Sequence, residues 1–155
     1  MILPITLTIA AASALISVWL ALRVSRLRRR LGVSVGDGGN ISVATAMRAH
    51  ANFSEYTPLF LILLGLIELA TGSQTWLWAA AILFVLGRLA HPFGLARAGA
   101  NVLRVGGMVA TWLPLLALAV FALIISYDTR PAGEELEISP VRSSSSDASG
   151  GTKLS

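Results

Sequence analysis

The stretch RAHANFSEYTPLFLILL, residues 48–64, joins a polar beginning to an apolar continuation. Arg48, Asn52, Glu55 and Tyr56 fall at i, i+4, i+7 and i+8, so a helix puts all four on one face. The run Leu59–Leu64 that follows is apolar enough to enter a bilayer. On insertion scales an acid or a base near the bilayer centre costs about 2.5–3.5 kcal/mol. A segment that only had to span would not carry such groups. The face is therefore expected to hold something polar.

Asn52 stands within helical reach of Arg48, Glu55 and Tyr56. Arg48 and Glu55 are two turns apart, about 10.5 Å along the axis, a spacing that predicts no simple ion pair between them. Pro58 lacks an N–H and frees the carbonyl of Ser54 beside the same face. The structural alternative to a ligand is internal neutralisation, with Glu55 paired to Arg88 of a later span or to Arg23 of the first.

Outward from this stretch, composition sets the class. The chain has 155 residues, 55% of them hydrophobic and 13% charged, with a mean hydropathy of +0.74. Those values exclude an ordinary soluble domain and predict an all-α integral membrane four-helix bundle over residues 1–127. The net charge of +4 is clustered without interleaved aromatics, which argues for membrane topology and against nucleic acid. Cysteine is absent, so disulfides, thiolate metal sites and a protein thiol nucleophile are ruled out. The two histidines, His50 and His91, cannot alone build a metal site.

The predicted spans are Ile2–Leu22, Val43–Ala70, Thr75–Ala96 and Val102–Tyr127. Each is long enough to cross about 30 Å of hydrocarbon. The third is clean only to Leu86, where Arg88, His91 and Pro92 interrupt it. Arg23, Arg26, Arg28, Arg29 and Arg30 follow the first span, and Arg97 and Arg104 bracket the third connection. Thr71–Gln74 is uncharged. Positive-inside logic then puts both basic loops in the cytoplasm and both termini outside. The first span has no preceding basic residue and no small-x-small site after it, so it is not a cleaved signal.

The Gly32–Ser42 loop carries turn chemistry at Asp37-Gly-Gly-Asn40 but lacks the Gly-Lys-Ser/Thr ending that holds nucleotide phosphates. Thr6, Ala10, Ser13, Ser17 and Ala21 form one small-residue stripe, and Gly107 and Thr111 with Pro114 form another, both assigned to helix packing. Glu68, Trp76 and Trp78 are read as interfacial. Residues 128–155 are serine- and glycine-rich and are expected to form a disordered tail.

The segment from Arg48 to Leu61 resembles the second-helix signature of the MAPEG superfamily, the membrane-associated proteins of eicosanoid and glutathione metabolism. Arg23–Arg30, the Gly-Asp-Gly-Gly loop and Arg88-Leu-Ala-His91 suit its small bacterial branch, and the likeness runs from about Ile5 to Phe121. The resemblance implies a homotrimer of four-helix subunits in a bacterial inner membrane, with the site toward the cytoplasm. It implies glutathione as co-substrate, bound by Arg28, Arg48, Asn52, Glu55 and Tyr56, with Arg104 stabilising the thiolate. The partner is then a lipophilic molecule, conjugated to the thiol or reduced by it.

The chemistry suits the residues. Glutathione has two carboxylates and one ammonium, so it wants arginines and one acid. A thiol of pKa about 8.5 is only about 3% ionised at pH 7, and lowering that by two units gives roughly 75%. Two departures are visible. Where tyrosines often end the third helix of the family, this chain has His91 and Leu95, and its Arg97–Arg104 spacing differs. The rival functions are a non-catalytic lipid-binding or scaffold protein of the same fold and, more weakly, a small transporter. Against the transporter, no inverted repeat is evident and the polar groups crowd one side.

Overall fold

The computed structural model describes residues 2–128, apart from 98 and 100. Four helices make up the described chain: α1 (Pro4–Leu31), α2 (Ile41–Thr71), α3 (Thr75–Leu95) and α4 (Val102–Asp128). All are long and apolar enough to cross a membrane. The expected tail at 128–155 lies, beyond Asp128, outside the described residues.

The helix ends follow from local chemistry. Proline opens α1, and Gly32 closes it in the left-handed conformation (φ 67°) with its N–H on the Arg28 carbonyl. α1 therefore outruns the expected apolar span and carries Arg28, Arg29 and Arg30 in its last turn, where cations oppose the helix dipole. Asn40 caps α2 by accepting from the N–H groups of Ser42 and Val43. Asn101 caps α4 through the Arg104 N–H and also donates to the Gly94 carbonyl at 2.8 Å, tying the end of α3 to the start of α4.

The third span forms one helix over nearly its expected length, and the break in its apolar run does not break the helix. Arg88, His91 and Pro92 continue α3 and are buried inside the bundle. A helix can bear them there because protein, not lipid, surrounds them.

α3 packs along α4, and α1 along α2, while α2 bridges to α3 and α4 and α1 reaches α3. One apolar cluster holds Ile5, Ile9, Phe60, Leu64, Ile67, Leu77, Ala81, Phe84 and Leu118. At its centre the rings of Phe60 and Phe84 stack at 3.8 Å. A second cluster joins Ile16 and Leu20 to Ala49 and Phe53. Buried polar side chains lie between the clusters along the helices: Ser13 between Ile9 and Ile16, and Thr57 between Phe53 and Phe60.

The stripe expected on α4 is its buried face, formed by Gly107, Thr111, Pro114 and Leu118. On α1 only Ser13 of the expected stripe is fully buried, and larger residues such as Ile9, Ile16 and Leu20 carry the contact. Trp76 lies edge-on against Phe121 at 4.8 Å, and Trp78 packs on the first cluster, so both pack against the bundle.

Glu68 departs from the interfacial expectation. It is 1% exposed, and its carboxylate accepts from the Ile5 and Thr6 N–H groups at 3.0 and 2.8 Å. The hydroxyls of Thr6 and Ser73 donate to it as well, each at 2.7 Å. Leu3 offers no side-chain cap to α1, so an acid from another helix satisfies the first-turn N–H groups and meets the positive end of the dipole.

Candidate functional site

The face picked out on α2 has two depths. Asn52 is buried, Tyr56 is half-buried, and Arg48 and Glu55 face outward with side chains 68% and 48% exposed. Arg48 Nη1 and Glu55 Oε1 approach to 3.7 Å, which corrects the expectation that two turns separate them too far. The helix rise does separate the backbones. Side chains lean toward the helix N-terminus, however, so Glu55 points back at Arg48 and the long guanidinium closes the gap.

Arg88 comes into the site from α3, although not as a partner of Glu55. It is 2% exposed, and it donates through Nη1 to the Asn52 carbonyl at 3.2 Å and through Nη2 to Asn52 Oδ1 at 3.0 Å. Its guanidinium carbon stands 5.8 Å from the Tyr56 ring centroid, a cation–π distance. Buried Arg88 Nε has no hydrogen-bond partner among the described residues. The internal pairs weighed for Glu55 therefore do not form, since Arg23 donates instead to the Pro92 carbonyl at 3.3 Å.

This arrangement orients Asn52. With its oxygen held by Arg88, its NH₂ group is turned away as a donor for something else. The signal in the sequence was present but misassigned. Arg88 suggested a carboxylate partner, whereas a backbone carbonyl and an amide oxygen take its Nη1 and Nη2 groups without neutralising it.

The two remaining candidates sit elsewhere. Arg28 Nε donates to the Gly36 carbonyl at 3.0 Å, and its Nη2 meets Met47 Sδ at 3.4 Å, so it braces the α1–α2 loop one residue before Arg48. Arg104 lies in the first turn of α4, exposed, with its side chain free of hydrogen bonds among the described residues. Its own N–H serves the Asn101 cap, while its carbonyl lies 3.4 Å from His91 Nδ1. Asn52, Tyr56 and Arg88 thus form one contact group, and Arg48 with Glu55 forms a second on the same helix. Arg28 and Arg104 are not joined to either by any hydrogen bond within the described subunit.

Four long apolar helices with this polar face on the second meet a direct comparison: residues 6–124 match the MAPEG family. The chain belongs to that family. It is also similar to the inner membrane protein YecN of Escherichia coli strain K12, at 35% identity over 112 residues, or 72% of this chain and 84% of that protein. YecN of a second strain, Escherichia coli O6:H1, matches with the same identity and coverage. This MAPEG chain is thus a multi-pass membrane protein, and the matched range includes α2, α3 and every residue of the polar group. His91 and Leu95, the departures noted at the end of the third span, are buried and half-buried. Neither supplies a phenol.

Proposed function

We propose that this protein binds glutathione, or a thiol of similar charge, on the polar face of α2, and that a neighbouring subunit of a homotrimer closes the site. The observation that carries this reading is the exposed Arg48–Glu55 pair on a membrane-length helix. Against acyl chains the pair would lose its hydration with nothing in exchange, so a second subunit and a polar ligand suit it better. Arg48 and Arg28 serve carboxylates, Glu55 the ammonium, and the outward NH₂ of Asn52 and the Tyr56 hydroxyl the peptide groups.

Arg104 is the arginine assigned to the sulfur. Arg88 is committed to Asn52, whereas the Arg104 side chain is exposed and unbonded. A guanidinium beside the sulfur favours the thiolate. The thiolate then adds to an activated carbon–carbon double bond of a lipophilic substrate from the bilayer, so that a carbon–sulfur bond forms, the π bond breaks and the neighbouring carbon takes up a proton. Alternatively, two thiols reduce a hydroperoxide to an alcohol and water and are oxidised to a disulfide.

Calorimetric titration of the detergent-purified protein with millimolar glutathione should release heat, and Glu55→Gln should weaken binding at least tenfold. Bound glutathione should absorb near 240 nm as thiolate at pH 7. Arg104→Ala should remove that absorbance and leave binding largely intact. A folded protein that gives no heat would instead be a non-catalytic lipid-binding or scaffold member of the family.

A further inference from the structure

A groove of about 650 Å³ opens between the second half of α1, the first turn of α2 and the end of α3. None of Arg28, Arg48, Asn52, Glu55, Tyr56 or Arg104 lines it. Arg23, Arg26 and Arg30 enter it from α1, and Arg97 from the α3–α4 connection. Among the described residues no carboxylate pairs with any of the four. Arg23 donates once, to the Pro92 carbonyl, and the side chains of Arg26, Arg30 and Arg97 make no hydrogen bond there.

The groove is also graded along its length. From Trp19 to Arg30 the helix rises about 16 Å. Trp19 and Leu95, both packed on the second apolar cluster, line one stretch of it, while Arg26 and Arg30 follow Trp19 toward the α1 C-terminus with Leu27 among them, and Arg97 lies just past the end of α3. Membrane topology alone requires only that basic residues lie on one side. It does not require arginines from a helix and from a separate connection to converge on one groove. Arg29, in the middle of the same basic run, is exposed and does not line it.

We propose that this groove binds the phosphate of an anionic phospholipid, with the head group among Arg26, Arg30 and Arg97 and the start of its chains along Trp19 and Leu95. Guanidinium forks match phosphate oxygens, and basic pockets between helix ends are where such head groups are held. A free phosphate shares the charge but has no use for the apolar end. The inference stands apart from the thiol reading, because the two sites share no residue.

The test uses the full chain in uncharged detergent, with binding of phosphatidylglycerol, phosphatidylcholine and inorganic phosphate measured by native mass spectrometry and by shift in melting temperature. Phosphatidylglycerol should bind at least tenfold more tightly than phosphatidylcholine. The double variant Arg26→Gln/Arg97→Gln should lose at least tenfold in that affinity, while Arg29→Gln stays within twofold. Equal weakening by Arg29→Gln would mean a diffuse charge effect and overturn the site. Inorganic phosphate that binds as tightly as the lipid would overturn the lipid assignment. If the double variant does not fold without lipid, Arg30→Gln against Arg29→Gln decides the same question.

Discussion

Glu55 and Glu68 are the same residue type on the same helix, and their surroundings give them opposite work. Glu68 is buried and receives two backbone N–H groups and two hydroxyls, so its removal leaves the buried Ile5 N–H without its acceptor and the part-buried Thr6 groups without theirs. Each buried donor left unmade costs about 1–3 kcal/mol. Glu68→Ala is therefore expected to destabilise the protein by about 2–4 kcal/mol, read as a lowered midpoint in thermal or denaturant unfolding in detergent. Glu55 is half-exposed, and its one ion pair among the described residues is with Arg48, so Glu55→Gln should shift that midpoint by less than the equivalent of about 1 kcal/mol. Equal losses at the two positions would show that Glu55 is a structural residue and remove its role toward a ligand ammonium.

At the scale of elements, the contact that organises the site is the close crossing of α3 and α4. A Cβ on Gly87 would stand 2.9 Å from Ala110 Cβ and 3.0 Å from the Gly107 carbonyl oxygen. A Cβ on Gly94 would collide with the backbone of Arg104 and Leu103. Backbone cannot yield as a flexible side chain does, and overpacking costs about 1–3 kcal/mol. Gly94→Ala should accordingly destabilise by at least that amount. It should also displace Arg104, lowering the 240 nm thiolate signal in whatever protein remains folded. Gly106 is the control, because its added Cβ meets nothing within 4 Å. Gly106→Ala should leave stability unchanged or raise it by about 0.5–1 kcal/mol. Paired unfolding curves of the two variants check the crossing, and equal midpoints would contradict it.

Across the whole molecule, the charges divide by end. The Arg23–Arg30 run lies in the second half of α1, Arg97 and Arg104 lie in and just after the α3–α4 connection, and Thr71–Gln74 at the α2–α3 turn bears no charge. That asymmetry predicts that the polar face of α2 and the arginine groove lie on the cytoplasmic half. The chain has no native cysteine, so single cysteines report cleanly. Ser34→Cys and Gln74→Cys, both at exposed loop positions, should react with a membrane-impermeant maleimide from opposite sides, only the second from outside intact cells. Outside labelling at Ser34 would invert the topology and turn both sites away from the cytoplasm.

Much of this protein was readable before any contact was known. Apolar length set four helices, arginine asymmetry set their expected orientation, and the spacing of Arg48, Asn52, Glu55 and Tyr56 marked one face. These are properties of a single helix or loop, decided by rise, period and transfer free energy, so a linear reading reaches them. What lay beyond it were the partners. Glu68 serves the start of α1, sixty-two and sixty-three positions away, and Arg88 orients Asn52, thirty-six positions away. α1 and the α3–α4 connection bring Arg26 and Arg97 to one groove. Such pairings depend on how helices cross and rotate against one another. That is set by packing at Gly87, Gly94 and Gly107 and by the need of each buried donor for an acceptor, and tertiary structure alone resolves it.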